Sequence, residues 1–382
     1  MKDDLEHDKM LDKISRKISF LAVNPKNSQE EKERFFAEPD HEPHFRYKPH
    51  QDLQLMRERL ESIRPSDSAV GKILADIRDR YLNDIRLIDS RGTEDFTKIS
   101  KELYGFPDNN LLKEAKRLIY LKVKKEDSGY ATSQIIRKLR LAFMKYGFPW
   151  QVEEKDMVAA AAVKTEKKKL FIRRRSSFSE NFLKRIIVHE IGTHIMRAEN
   201  GSYQPYSFFM RGLPGYLMTE EGLAVYNEEQ NDCLNNYILK IYAGRVLAID
   251  CALRSSFRKT YELMRKYFTR RNAWRLTLRA KRGLGDSSKP GAFTKDIAYL
   301  QGYLEIKRFA QQGGDISKLY YGKIGLQHID LVERLPGIVN PHYLPMARYL
   351  NYFSGHFSKV MRKVVLLDSL QQIDLDPAGL RR

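Results

Sequence analysis

Cysteine is nearly absent from this chain of 382 residues. Cys233 and Cys251 are its two, both in helical-looking sequence. Two thiols support neither a disulfide framework nor a four-thiolate metal site, and they read as small buried hydrophobes. No apolar run approaches the roughly 18 residues of a membrane span. The opening MKDDLEHDKMLDKI is charged and lacks the apolar core of a secretory signal. These absences point to a reducing, cytoplasmic setting without a membrane anchor. Acidic residues are in deficit, 49 against 68 Lys and Arg, for a net charge of +19. Such a surface attracts acidic partners. No zinc-finger spacing or RNA-recognition signature accompanies it, so a dedicated nucleic-acid binder is not indicated. No internal repeat is present.

The length is ample for a large core, and the 42% hydrophobic content is that of a globular protein. Residues 1–40 read as a helical arm. Leu5, Met10, Leu11, Ile14, Ile18 and Leu21 recur at helical spacing, which suits a packing arm. Residues 41–147 read as a helical lobe, with helices over 51–63, 68–89, 94–104, 108–124 and 130–146 broken at Pro65, Gly92, Gly105–Pro107 and Gly129. Residues 148–245 change character. The segment 151–163, the turn-like TEKK and the β-favouring 170–174 read as a hairpin. Residues 246–382 read as a further helical lobe, with 41–382 forming one compact unit. The run from Arg265 to Arg282 carries eight cations and no acid, and reads as a solvated face.

What organises the chain is SSFSENFLKRIIVHEIGTHIMRAENGSYQP, from Ser177 to Pro205. Ser177 with Glu180 suggests a capping box, and the apolar residues that follow suggest a buried helix. At its centre are His189, Glu190 and His194. Two imidazoles and a carboxylate are costly to bury without partners, and a divalent metal would be one. The familiar zinc-protease pattern sets its histidines four apart, on one helical face. Here they are five apart, which a regular helix would turn about 140° from each other. A π-type bulge repairs this, and Gly192 inside the spacing eases the turn. A catalytic zinc takes three protein ligands. The third is expected in LMTEEGLAVYNEEQN, where Thr219 reads as an N-cap and places Glu220 and Glu221 in the first helical turn. Either carboxylate can point back, and Glu190 remains free as a general base. Two imidazoles and a carboxylate also suit non-heme iron. The adjacent glutamate favours zinc.

HEIGTH, then Arg197, Asn200, Gly201, Gln204 and Pro205, then TEEGLA, resembles the tyrosine carboxypeptidase family, whose bacterial relatives carry a QEGLA motif. ELYG at Glu102–Gly105, FTKDIAYLQG at Phe293–Gly302, and GGD with LYYGK between Gly313 and Lys323 extend the likeness over most of the chain. The resemblance implies an α+β fold, mostly helical and zincin-like, with a small sheet or hairpin beside the metal-binding helix. It implies one Zn2+ per chain held by His189, His194 and Glu221, with Glu190 as catalytic base. Glu220, standing where relatives have Gln, is a rival ligand. The implied reaction is hydrolysis of the C-terminal peptide bond of peptides or proteins, acidic ones included, with release of an aromatic residue such as tyrosine. Arg197 and Lys295 are candidates for binding the terminal carboxylate, and Tyr299 or Arg197 for a second oxyanion donor. The hairpin is a candidate support for extended substrate. Competing expectations are a zinc endopeptidase and a metal-containing regulatory protein without turnover.

Overall fold

A computed structural model describes residues 2–50, 52–124, 128–157 and 160–345. Contacts divide the chain into two units, Met1–Leu344 and Pro345–Arg382; every element below belongs to the first. The helical reading of the closing segment lies outside the described residues, as do residues 158–159 of the run 157–163.

The arm forms helices α1 (Lys2–Ser15) and α2 (Ser28–Ala37). An acidic stripe at four-residue spacing docks α1 on the body. Asp4 accepts hydrogen bonds from the hydroxyls of Ser66 (2.9 Å) and Ser68 (3.0 Å). Asp8 accepts from the backbone N–H of Ser207 at 2.6 Å and of Phe208 at 3.2 Å, and Asp12 accepts from Arg211. The arm packs through these polar anchors and through buried Leu11 and Ile14, while Leu5, Met10 and Leu21 of the expected apolar face are exposed.

The lobe that follows contains α3 (Leu53–Ser62), α4 (Ala69–Asp89), α5 (Asp95–Tyr104), α6 (Asn109–Leu118) and α7 (Thr132–Tyr146). Breaks fall at Pro65, Gly92 and Gly105–Pro107 as expected, but the helix expected over 108–124 ends at Leu118 and Gly129 lies within a strand. Side-chain caps start two of the helices: Ser68 accepts from the Gly71 amide at 2.9 Å and Asp108 from the Leu111 amide at 2.7 Å.

The strands are β1 (Ser128–Ala131), β2 (Gln151–Lys155), β3 (Ala161–Lys164), β4 (Lys169–Arg173) and β5 (Ser177–Ser179). The expected hairpin is β3–β4, antiparallel, with Ala161 opposite Ile172 and Lys164 opposite Lys169. Its turn is closed by Lys168 at a φ of 47°. Two pairings were not legible from local alternation. β2 lies parallel to β4 on its other side, and β1 pairs antiparallel with β5. Both join segments distant in sequence, which no local pattern records. β3 is left as an edge strand.

The central helix starts at Ser179, whose side chain accepts from the Phe182 amide at 3.0 Å. Ser177, the expected cap, is extended within β5. Helix α8 (Glu180–Ile186) runs into a π-helical segment, Ile187–Ile195, and then α9 (Met196–Ser202). The short α10 (Phe208–Arg211) leads to α11 (Tyr216–Gln230). Thr219 is not its cap: the helix starts a turn earlier, and the Thr219 hydroxyl accepts from the Leu326 amide at 2.9 Å. Then come α12 (Asn236–Ala252), α13 (Phe257–Arg265), α14 (Arg270–Lys281), α15 (Ala298–Gln311) and α16 (Ile329–Glu333). Residues including Ala115, Ala243, Val246, Ala273 and Leu300 form the core between α6, α12, α14 and α15. Among the described residues no helix is long and apolar enough to cross a membrane.

One crossing positions the site. Helices α11 and α15 touch through Gly222 and Gly302. A Cβ on Gly222 would lie 2.1 Å from the carbonyl carbon of Gly302, and one on Gly302 would lie 2.0 Å from the carbonyl oxygen of Met218. Backbone contact this close requires glycine. It fixes the position along each helix of Glu221, beside Gly222, and of Tyr299, one turn before Gly302.

Candidate active site

Residue spacing sets the geometry of the central helix. Through the π-helical turns the rings of His189 and His194 come together, centroids 4.8 Å apart and nearly perpendicular. The five-residue spacing thus falls on one face, as the sequence required. Thr193 secures the widened turn by donating to the Val188 carbonyl at 3.1 Å, and the Gly192 carbonyl accepts from the hydroxyl of Tyr320 at 3.0 Å. Helix α11 crosses this face and brings in Glu221. Its Oε2 is 3.8 Å from His189 Nε2 and 3.9 Å from His194 Nε2. Donor atoms of all three residues lie within 4.8 Å of one another.

The outer partners set Glu220 and Glu221 apart. His189 Nδ1 lies 2.7 Å from Glu228 Oε1, and His194 Nδ1 lies 3.0 Å from Glu220 Oε1. An ionised carboxylate only accepts, so each Nδ1 carries the proton and each Nε2 is turned toward Glu221. Paired outer carboxylates of this kind orient imidazole ligands for a metal. Glu220 is therefore placed behind His194. It also binds Arg197 and lies 3.3 Å from the Lys323 ammonium. Burial alone would raise the pKa of Glu220, but Lys323, Arg197 and the hydrogen bond from His194 hold it well below the usual carboxylate range. Glu228 is likewise buried, and Arg185 grips it with two hydrogen bonds of 2.9 Å. Despite its burial, Arg185 and His189 hold it low. Two imidazoles and one carboxylate, with outer acids neutralised by cations, match the donor set of a divalent zinc site.

His194 carries a testable charge. Burial opposes protonation, but the hydrogen bond to Glu220 and the charges of Glu220, Glu221 and Glu190 push its pKa up to about 9 in the metal-free protein. A raised folded-state value means that this stabilisation is fully present below the unfolded pKa of about 6.5 and is lost as pH rises through about 9. A metal at Nε2 must expel that proton. The gap in Tm between zinc-saturated and metal-free protein should therefore widen from pH 6.5 to 9. The corresponding slope is up to about 1.4 kcal/mol per pH unit. A gap independent of pH would show that His194 is already neutral.

Glu190 lies on the wall of a cleft of about 550 Å³ that His189 and Tyr299 also line. Ala160 and Ala161, at the start of edge strand β3, line the same cleft, with Phe178, Tyr242, Arg245, Arg275 and Arg279. Tyr299 is buried, and that burial with the charge of Glu221 raises its pKa, so its hydroxyl stays protonated.

Arg197 and Lys295 are placed elsewhere. The Arg197 side chain is fully buried. Its Nε donates to the carbonyls of Leu319 (2.9 Å) and Gly322 (3.0 Å), Nη1 to Glu220, and Nη2 to the carbonyl of Ile324. It ties the central helix to the LYYGK loop. Lys295 lines a separate cavity of about 310 Å³ with Tyr81, Tyr104 and Tyr216, its ammonium 4.6 Å from the centre of the Phe20 ring. Burial and the nearby Arg282 lower its pKa, and the charge of Glu221 partly offsets this. Asn200 and Gln204 fasten the following loop: Asn200 exchanges hydrogen bonds of 2.8 and 2.7 Å with the backbone of Tyr343, and Gln204 does so with Val339.

Sequence reasoning missed Glu228, Arg185 and Lys323 behind the ligands, and Arg245 in the cleft. Glu228 carried a faint signal, two helical turns after Glu221 on the same face. The Arg265–Arg282 run is not a plain solvated face. Arg279 pairs with buried Asp296, Arg270 stacks over Phe36, and the Lys281 ammonium donates to the carbonyls of Ala252, Ser255 and Lys289.

A profile of the microtubule-associated tyrosine carboxypeptidase family matches residues 33–361. The chain belongs to that family. It is 32% identical over 181 residues to microtubule-associated tyrosine carboxypeptidase 1 of Homo sapiens, covering 44% of this chain and 37% of that protein. It is 30% identical over 206 residues to MATCAP2 of Mus musculus, covering 51% of this chain and 38% of the relative. The aligned part thus spans less than two-fifths of these curated relatives.

Proposed function

We propose that this chain is a zinc-dependent carboxypeptidase with a zincin-like core, removing single residues from peptide or protein C-termini. The observation that carries this reading is the convergence of His189, His194 and Glu221, with His189 and Glu190 lining one cleft. His189, His194 and Glu221 would hold the ion through Nε2, Nε2 and a carboxylate oxygen. When bound, zinc supplies Lewis acidity for activating water and polarising a peptide carbonyl. Glu190 takes the proton of the attacking water and delivers it to the leaving amine. The Tyr299 hydroxyl donates a hydrogen bond to the oxygen on which negative charge develops. The free edge of β3 pairs with the extended substrate backbone upstream of the cut, which gives affinity with little sequence demand. The cationic cleft favours acidic upstream residues, an effect that fades with salt.

The reading is tested by incubating a peptide library with the purified protein and weighing the products by mass spectrometry, alongside elemental analysis. The expected result is one equivalent of zinc and loss of one C-terminal residue, aromatic ones fastest. Cuts within peptides would make it an endopeptidase, and one equivalent of iron without zinc would overturn the hydrolase.

A further inference from the structure

We propose that Arg245 receives the α-carboxylate of the substrate's C-terminal residue. This rests on the carboxypeptidase reading and supplies the cation that reading requires, since Arg197 is saturated within the protein and Lys295 lines another cavity.

Arg245, on α12, is held against two aromatic faces. Its guanidinium carbon lies 4.1 Å from the centre of the Tyr299 ring and 5.1 Å from that of Tyr242. Those rings stack on each other, 5.1 Å apart and 17° from parallel. Yet Nε and Nη1 are buried with no hydrogen-bond partner among the described residues. The carboxylate of Asp296 is 4.0 Å from Nε, beyond hydrogen-bond reach. Asp296 is already engaged by Arg279, which donates to both of its oxygens, and by Arg282 at 3.6 Å. Orphaned buried donors are costly and uncommon. Arg197 shows the contrast, with all three of its guanidinium nitrogens satisfied, whereas Arg258 and Arg282 each leave only Nε without a partner.

The cleft wall therefore has a positive surplus. Arg245, Arg279 and Arg282 share Asp296, and Arg275 lines the same cleft. Burial, with Arg279 and Arg245 nearby, draws the pKa of Arg282 down to about 10 even though Asp296 opposes the shift. An anion is the missing partner, and a planar carboxylate matches the guanidinium fork. Position selects the terminal one. In single-residue release the terminal carboxylate is one residue from the cut bond, about 3.8 Å along the backbone. The cation must then lie close to the metal ligands. Arg245 packs on Tyr299, and both line the cleft that His189 and Glu190 also line.

The test is a binding measurement that needs no turnover. Zinc-loaded protein carrying Glu190→Gln is titrated with a peptide ending in tyrosine as the free acid or the amide, and with a third peptide in which an upstream glutamate is replaced by glutamine. The acid is expected to bind about 30-fold or more tightly than the amide. Adding Arg245→Gln should remove that preference while leaving amide affinity within about twofold. Arg245→Lys keeps the charge and the stem but loses the fork, and should retain an intermediate preference. It serves if the glutamine variant fails to fold. An acid preference surviving in these variants, an equal weakening of acid and amide, or a response to the upstream glutamate instead would overturn the assignment. If protein with Glu190 intact cleaves nothing while the Arg245-dependent preference is present, the assignment stands and the peptidase reading falls.

Discussion

Replacing Glu190 with glutamine is expected to lower kcat by about 100- to 10,000-fold while zinc content stays at one equivalent. That is the usual span for loss of a positioned general base. The reasoning is geometric. Glu190 is adjacent to His189 in sequence but lies on the cleft wall, outside the group formed by His189, His194 and Glu221. Its carboxylate does not anchor the fold, so the substitution removes a proton acceptor and little else. Turnover of a tyrosine-ending peptide, measured with metal content on the same sample, separates the readings. A variant that keeps its activity would turn the centre into a structural or regulatory metal site. A variant that loses its metal would make Glu190 a ligand.

Glu221→Gln and Glu220→Gln should fail in different ways. Glu221 faces both Nε2 atoms, and neutralising it removes the charged donor, so stoichiometric zinc should be lost with the fold intact. Glu220 is buried against His194, Arg197 and Lys323. Neutralising it should weaken zinc binding by about 10- to 100-fold through misorientation of His194. It should also destabilise the protein by about 3–5 kcal/mol, because two buried cations lose their counter-ion. Metal titration and thermal unfolding of the two variants measure both effects. Zinc loss from Glu220→Gln with retention in Glu221→Gln would reverse the roles.

Much of the centre was legible because its chemistry is local. The five-residue spacing of His189 and His194 demanded a widened turn, since 100° per residue leaves the rings on different faces. The π-helical segment Ile187–Ile195 supplies it, over a longer stretch than a single bulge. Helix boundaries marked by Ser68, Asp108, Gly92 and Gly105 were readable for the same reason, because caps and positive-φ turns depend on a few adjacent residues. At the central helix locality misled: Ser177 was the expected cap, but the pairing of β5 with the distant β1 draws it into a strand, and Ser179 caps instead.

From the sequence alone come many of the helices, the hairpin, and the two histidines and glutamates of a candidate metal centre, all written in short-range spacing. Tertiary structure alone decided which carboxylate faces the imidazoles and which stands behind them. Glu220 and Glu221 are adjacent and chemically identical, and their roles diverge because the Gly222–Gly302 contact sets the rotation of α11 over the central helix. It also decided which arginines are spent. Arg197 lies in the most family-like stretch, yet three backbone carbonyls and Glu220 occupy it. Arg245 lies in no motif, yet it lines the cleft with two buried nitrogens that have no hydrogen-bond partner among the described residues. Whether a cation is available depends on the partners that folding brings to it, and those partners are distant in the chain.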